Sequence, residues 1–259
     1  MASPVDVLVA VPAHDEQDHI DACLNSVVEA VARARAEGVV ADAVVGVAAH
    51  RCSDRTAALA GRLLAESSVE GAVWEDWTSE TVGEVRDRAI RRLTGRWGSG
   101  QRQRWVFNTD ADSIAPVDWI TTCLRLAHAS GSSAVAGLVE LLDWEASPQA
   151  RHDYRRILAS GLHATGHTHV YGANLAIRMD AYAAVGGFPA VLHGEDQAIV
   201  QRLRRAGHPV LTPLQPVVRT SGRMPGRASH GLGALLQTLV GQHVGQTAVT
   251  DLPLVPETT

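Results

Sequence analysis

Two aspartates one residue apart, Asp110 and Asp112, lie in the stretch VFNTDADSIAP, residues 106–116. A carboxylate pair at the end of an apolar run is costly to desolvate unless something neutralises it. Side chains at i and i+2 of a strand end point the same way. Two carboxylates so placed suit a hard divalent cation such as Mg2+ or Mn2+, with substrate phosphates completing its shell. The residues alone leave three readings open: a held proton, a held metal ion or a helix cap.

Other chemistry-bearing groups fall at comparable places. Glu195 and Asp196 open a helix within GANLAIRMDAYAAVGGFPAVLHGEDQAIVQRLRRAG, residues 172–207, where carboxylates interact favourably with the helix dipole. The turn VPAHDE, residues 11–16, lacks the G-x-G-x-x-G that lets a dinucleotide pyrophosphate approach bare backbone. Its polar side chains, His14 and Glu16, imply contacts to a base or ribose instead, while Asp15 is either part of that surface or a helix cap. In HRCSDRT, residues 50–56, His50 sits at a strand end on the ligand side of an open α/β sheet, and Asp54 reads as a cap. His163, His167 and His169 have spacing that mimics a zinc site; acceptor or donor contacts and a structural role are the other readings. The chain has no lysine, which excludes a P-loop and any Schiff-base mechanism.

These residues need a framework at strand ends. VDVLVAV, residues 5–11, is a near-continuous apolar run of the kind buried on both faces of a parallel sheet. A helix from Asp15 to about Glu37 follows and closes at Gly38. ADAVVGVAA predicts a second strand, SDRTAALAGRLLAE a helix capped by Ser53 or Asp54, GAVWE a short strand, Val82–Leu93 a helix and RWVFNTD another strand. This alternation is that of a doubly wound α/β sheet. After Pro116 the spacing predicts helices over PVDWITTCLRLAHASG, SPQARHDYRRILASGL and MDAYAAVGG, strands over SAVAGLVELLDW and HVYGANLAIRM, and a helix running into a strand over GEDQAIVQRLRRAGHPV. From Pro213 the chain reads as a Pro-, Gly- and Arg-rich tail before an amphipathic segment, Leu232–Val244.

Composition narrows the classes. The 259 residues can bury a full core, and a net charge of −5 argues against bulk nucleic-acid binding. Three cysteines are too few for a disulfide framework and point to a reducing cytoplasm. The N-terminal stretch lacks the features of a signal peptide, and no apolar run reaches membrane-spanning length.

Taken in order, VPAHDEQDHIDACLNSV, HRCSDRT, TVGEVRDRAI, WVFNTDADSIAPVDWI, GANLAIRMDAYAAVGGF and GED resemble the motifs of a family 2 glycosyltransferase of the GT-A fold, over roughly residues 4–225. The resemblance implies a non-processive hexosyltransferase that uses a nucleotide-sugar donor and Mn2+ or Mg2+. It implies a GT-A domain at 1–225, with a nucleotide-binding half at 1–115 and an acceptor half at 116–225, then a helical tail at 226–259. Pro12, His14, Glu16, His50 and Arg86 would line the nucleotide, with the family's base-contacting aspartate replaced by His50. Asp110 would face the ribose or donor sugar, with Ala111 beside it, and Asp112 would ligate the metal, with Asp110 as neighbour. Gly172 and Asn174 would border the donor. Asp196 matches the general base of an inverting mechanism, with Glu195 beside it, and its helix N-terminus is expected to lower its pKa. A C-terminal loop would close over the diphosphate through Arg223 and Arg227, and His230 would complete the metal shell. The Q-x-x-R-W motif of processive synthases is absent; QRLRR follows GED instead. Transfer of one sugar to a small-molecule, lipid-linked or glycan acceptor is the expectation. A retaining transferase, a sugar-phosphate nucleotidyltransferase and a non-catalytic nucleotide-sugar binder are the rivals.

Overall fold

The computed structural model describes residues 3–95, 102–224 and 231–244. In chain order the first half runs β1 Val5–Ala13, α1 Ile20–Ala36, β2 Val40–His50, α2 Thr56–Glu66, β3 Glu70–Asp76, α3 Val82–Thr94, β4 Arg104–Asn108 and β5 Ser113–Ile114. The second half runs α4 Trp119–Ser130, β6 Ala134–Ala136, β7 Leu138–Leu142, α5 Pro148–Ser160, β8 Leu162–His163, β9 Gly166–His167, β10 Leu175–Arg178, α6 Met179–Ala184, α7 Glu195–Arg205, β11 Val210–Leu211, β12 Val217–Ser221 and α8 Leu232–Val244.

Seven strands form the main sheet in the order β11-β6-β10-β4-β1-β2-β3. All pairs are parallel except those of β10, which runs antiparallel to both β4 and β6. The apolar run of β1 is explained by its central place: Val7, Val9 and Val11 pack on one face with α1, α2 and α4, and Leu8 and Ala10 on the other with α3, α6 and α7. Helices therefore cover both faces, as a parallel sheet demands. Strand order reverses about β1 and β4, so their carboxyl ends border the crevice in which such sheets bind ligands.

The second half departs from the periodicity. The single strand expected over 133–144 breaks at Gly137, where a Cβ would lie 2.3 Å from the Asn174 amide nitrogen. The break sends β6 into the main sheet and β7 into a second sheet ordered β5-β12-β7. Neither β5 nor β12 is expected from sequence: one is two residues long, and the other lies in the stretch read as a tail. The strand expected at 169–179 shrinks to β10, because residues 172–174 form a 3-10 turn. The first helix starts at Ile20, not Asp15. Asp15 instead takes a left-handed φ of 52° and turns its carboxylate to the backbone and hydroxyl of Ser53. The helix at 232–244 is docked, its Leu236 and Leu239 buried against Trp144, Ala150 and Tyr154.

Asn174 shows why these pieces hold together. Its Oδ1 accepts from Trp119 Nε1 at 2.9 Å, and its Nδ2 donates to the carbonyls of Leu138 (2.8 Å) and Pro216 (2.9 Å). One buried amide thus ties α4, β7 and the lead into β12. The expectation that Asn174 contacts a donor is corrected: its polar atoms are committed to this strut. Asn174→Ala should destabilise the fold by about 2–4 kcal/mol, because several buried partners lose their hydrogen bonds at once. Urea denaturation followed by circular dichroism measures this, and a loss below about 1 kcal/mol would contradict the strut.

Candidate active site

The carboxyl ends of β1, β2 and β4 collect the polar residues singled out above. Pro12 and His14 leave β1, and the His14 Nδ1 is 2.7 Å from the carbonyl of His50 at the end of β2. The His50 Nε2 meets the carbonyl of Ser79 at 2.9 Å. That loop is organised by Asp76, which sequence reasoning missed. Burial would raise the Asp76 pKa, but hydrogen bonds from Ser79 and Thr78 and the charge of Arg88 outweigh it and bring it to about 2. The signal was the run D-W-T-S behind a short strand, a turn in which one aspartate accepts from several following groups.

Past β4, Asp110 and Asp112 flank the buried Ala111. Asp112 is held from the C-terminal side, where its carbonyl accepts from the Ser221 backbone at 3.1 Å and its Oδ1 lies 3.4 Å from the Thr220 hydroxyl. Its pKa is pushed up to about 7 by burial, then by the charges of Asp110 and Glu16, with Arg223 working in the opposite direction. Glu16 is buried beside His19 and takes both terminal nitrogens of Arg223. Its carboxylate is therefore held by Arg223. The donor chemistry suits a hard divalent cation, since Asp110 and Asp112 offer oxygens and their repulsion is only partly offset, although with Glu16 they do not form a group of three within ligand reach of one another.

Arg86, expected to line the nucleotide, is a buried hub. Its side chain is 3% exposed. It pairs with Asp110, lies 3.4 Å from Glu195 Oε1 and sits over the Phe188 ring at 6.0 Å. Its location follows from α3, whose start is fixed by a Thr81–Glu84 capping box. Two glycines make room. A Cβ on Gly83 would lie 2.2 Å from the Pro189 carbonyl, and one on Gly172 would lie 2.6 Å from the Arg86 guanidinium. Arg86 thereby connects the aspartate after β4 to the start of α7.

Asp196 lies in the first turn of α7, beside the Glu195 that Arg86 engages. Its Oδ2 accepts from the Gly172 backbone at 2.9 Å and its Oδ1 from that of Gln197 at 2.7 Å. Gly172 therefore meets Asp196 through its backbone. The expected lowering of the Asp196 pKa is wrong in sign. Burial and the adjacent Glu195 raise it to about 6 against the backbone donors and Arg86. Desolvation and a like charge outweigh the helix terminus here. Glu195 is buried and engaged by Arg86.

The histidines do not converge on a metal. His167 and His169 stack at 6.0 Å, His169 and Tyr171 at 5.9 Å, and His169 Nε2 meets the Leu158 carbonyl. Among the described residues the one grouping with metal-ligand reach is Asp15, Cys52 and Asp54. Its members are already engaged with Ser53, the Ala13 carbonyl, Thr56 and Gln17. Asp54 accepts from the backbone and hydroxyl of Thr56, but the cap position of α2 is Arg55, not Ser53 or Asp54 as expected. Arg227 and His230 lie outside the described residues.

No family model matches the chain. Among curated proteins it is similar to the succinoglycan biosynthesis protein ExoA of Rhizobium meliloti (strain 1021), at 23% identity over 208 residues. That match covers 78% of this chain and 58% of that relative's length. Among solved structures it resembles S. aureus TarS in complex with UDP-GlcNAc, at a TM-score of 0.62 and 14% identity over 96% of this chain and 68% of that one. It resembles equally the mannosyltransferase PcManGT of Pyrobaculum calidifontis in complex with GDP-Man and Mn2+, at 0.62 and 16% over 95% and 76%. GalNAc-T7 with UDP, GalNAc and Mn2+ also aligns at 0.62, with 12% identity over 98% and 52%. The sheet order, the helices on both faces and these alignments agree: the chain has the GT-A glycosyltransferase fold.

Proposed function

We propose that the chain is a metal-dependent glycosyltransferase. It moves one hexose from a nucleotide-sugar donor to a hydroxyl of a small-molecule, lipid-linked or glycan acceptor, inverting the anomeric carbon. One observation carries this reading. Arg86 spans from Asp110, at the end of β4, to Glu195 beside Asp196, so a cation-binding edge and a buried base share one crevice. The donor class is supported by the neighbours that hold UDP-GlcNAc and GDP-Man. Three free cysteines, two of them buried, accord with a reducing compartment such as the cytoplasm. No helix among the described residues is long and apolar enough to cross a membrane.

In this reading Asp112 and Asp110 hold Mn2+ or Mg2+, and the ion when bound neutralises charge on the leaving nucleoside diphosphate. Pro12, His14 and His50 form the wall toward the base. Asp196 accepts the acceptor's hydroxyl proton as the oxygen attacks. With a pKa of about 6 it is mostly ionised at neutral pH, yet a stronger base than a solvated carboxylate. Arg86 and Glu195 keep it aimed.

Three outcomes test the reading. Asp112→Asn keeps the shape of the side chain and should retain the fold, while Mn2+-dependent binding of UDP or GDP weakens by about tenfold or more. Calorimetry with and without Mn2+ decides, and unchanged binding removes Asp112 from the metal site. Asp196→Asn should bind nucleotide normally but transfer sugar at least roughly a hundredfold more slowly, and wild-type transfer should fall as pH drops below about 6. A product that keeps the donor's configuration would replace inversion with retention.

The third outcome needs no substrate. A carboxylate whose folded pKa is raised binds its proton more tightly in the native state, so its penalty appears as pH climbs through the unfolded and then the folded value. Relative to wild type, Asp196→Asn should therefore gain stability on going from pH 4 to pH 8, by roughly 2 kcal/mol. Urea midpoints at the two pH values measure it, and a flat difference would contradict the buried, raised carboxylate.

A further inference from the structure

Arg223 occupies a place that calls for a cation. Its Nη1 donates to Glu16 Oε2 at 2.6 Å and its Nη2 to Glu16 Oε1, while Nη2 also lies 3.3 Å from Asp112 Oδ2. His19 Nδ1 is 3.4 Å from Nη1. The Arg223 Nε is buried and makes no hydrogen bond, so the guanidinium serves the carboxylates with its terminal nitrogens only.

The backbone fixes how far this side chain can reach. Thr220 pairs with Ser113 in the β12–β5 ladder, the Ser221 amide donates to the Asp112 carbonyl, and the Ser221 hydroxyl accepts from the Arg223 amide. Position 223 is thus tethered to the Asp112 segment whatever its head group does. A divalent ion ligated by Asp112 would meet a positive charge within a few ångströms, and two cations at that range repel strongly in a half-buried site. Both cannot engage the Asp112 carboxylate together.

We infer that Arg223 is a stand-in for the divalent cation: it neutralises Glu16 and Asp112 in the metal-free protein and must withdraw from Asp112 before the ion binds. The inference rests on the reading of Asp110 and Asp112 as cation ligands. Three features of the site require it. The carboxylates are close enough to repel, they are too buried to be left bare, and the fork of an arginine can serve two of them from one tether. The exchange also leaves the guanidinium free beside the newly bound ion, with a geometry suited to phosphate oxygens. Arg223 therefore sets how tightly the empty site takes metal, and the protein avoids an uncompensated acidic cluster between turnovers.

The test uses Mn2+ alone, titrated into the full chain without nucleotide and followed by the electron paramagnetic resonance of the free ion. Arg223→Gln removes the competing charge and should bind Mn2+ at least about tenfold more tightly than wild type. Arg223→Lys keeps the charge but has no fork to span two carboxylates, and should bind about threefold more tightly; it decides the matter should Arg223→Gln not fold. Affinity equal to or weaker than wild type in the folded variant overturns the stand-in role. Asp112→Asn in the same titration separates this from the reading beneath it. If Asp112→Asn weakens Mn2+ binding while the Arg223 variant does not strengthen it, only the stand-in fails. If Asp112→Asn has no effect, the cation-ligand assignment fails and the inference with it.

Discussion

Negative charge gathered at one sheet edge is the constraint on which the rest of the site depends. Glu16, Asp110, Asp112, Glu195 and Asp196 come from three separate segments, and all but Asp110 are buried or nearly so. Two arginines compensate them, each spanning carboxylates from different segments: Arg86 between Asp110 and Glu195, and Arg223 between Glu16 and Asp112. Two positive charges do not balance five negative ones. Burial first, and then the neighbouring negative charges, raise the pKa values of Asp112 and Asp196. A carboxylate cluster left short of charge in this way has a ready use for a divalent ion on one side and for a proton on the other.

The scaffold makes that concentration of charge tolerable. β1 is packed on both faces, so the strand ends that present Pro12 and Asp110 are anchored by continuous cores above and below the sheet. Close backbone approach does the rest. Gly83 lets α3 press against the Pro189 segment, and Gly172 leaves the Arg86 guanidinium its space while donating its own amide to Asp196. A side chain at either glycine would separate the arginine from the carboxylates it neutralises, and the penalty for unpaired buried charge would follow.

The second sheet gives the C-terminal segment its part in the site. Because β12 pairs with both β5 and β7, residues far along the chain are fixed beside Asp112. Asn174 reinforces the arrangement by tying α4, β7 and the segment before β12 with one side chain. The residues on this side of Asp112 therefore rest on sheet structure and on a buried amide, and position 223 inherits that placement.

The sequence by itself determined the β-α alternation of the first half, the strand-end placement of His50 and Asp110, and the opening of a helix at Glu195. These depend on local periodicity and on residue types next to one another, and motif order was enough to suggest the fold. Tertiary structure alone decided the partners. Arg86 read as a ligand contact because nothing near it in the chain says that it is buried 109 residues away from Glu195. Asn174 read as a donor contact because its three partners lie 36 to 55 residues distant. The short strands β5 and β12 gain their stability from pairing with each other and with β7, so their own residues carry little periodic signal. The Asp196 pKa went the other way from its local cue, because desolvation and the Glu195 charge exceed what a helix terminus supplies. Charge compensation acts through space, and only the folded chain specifies which carboxylates share an arginine.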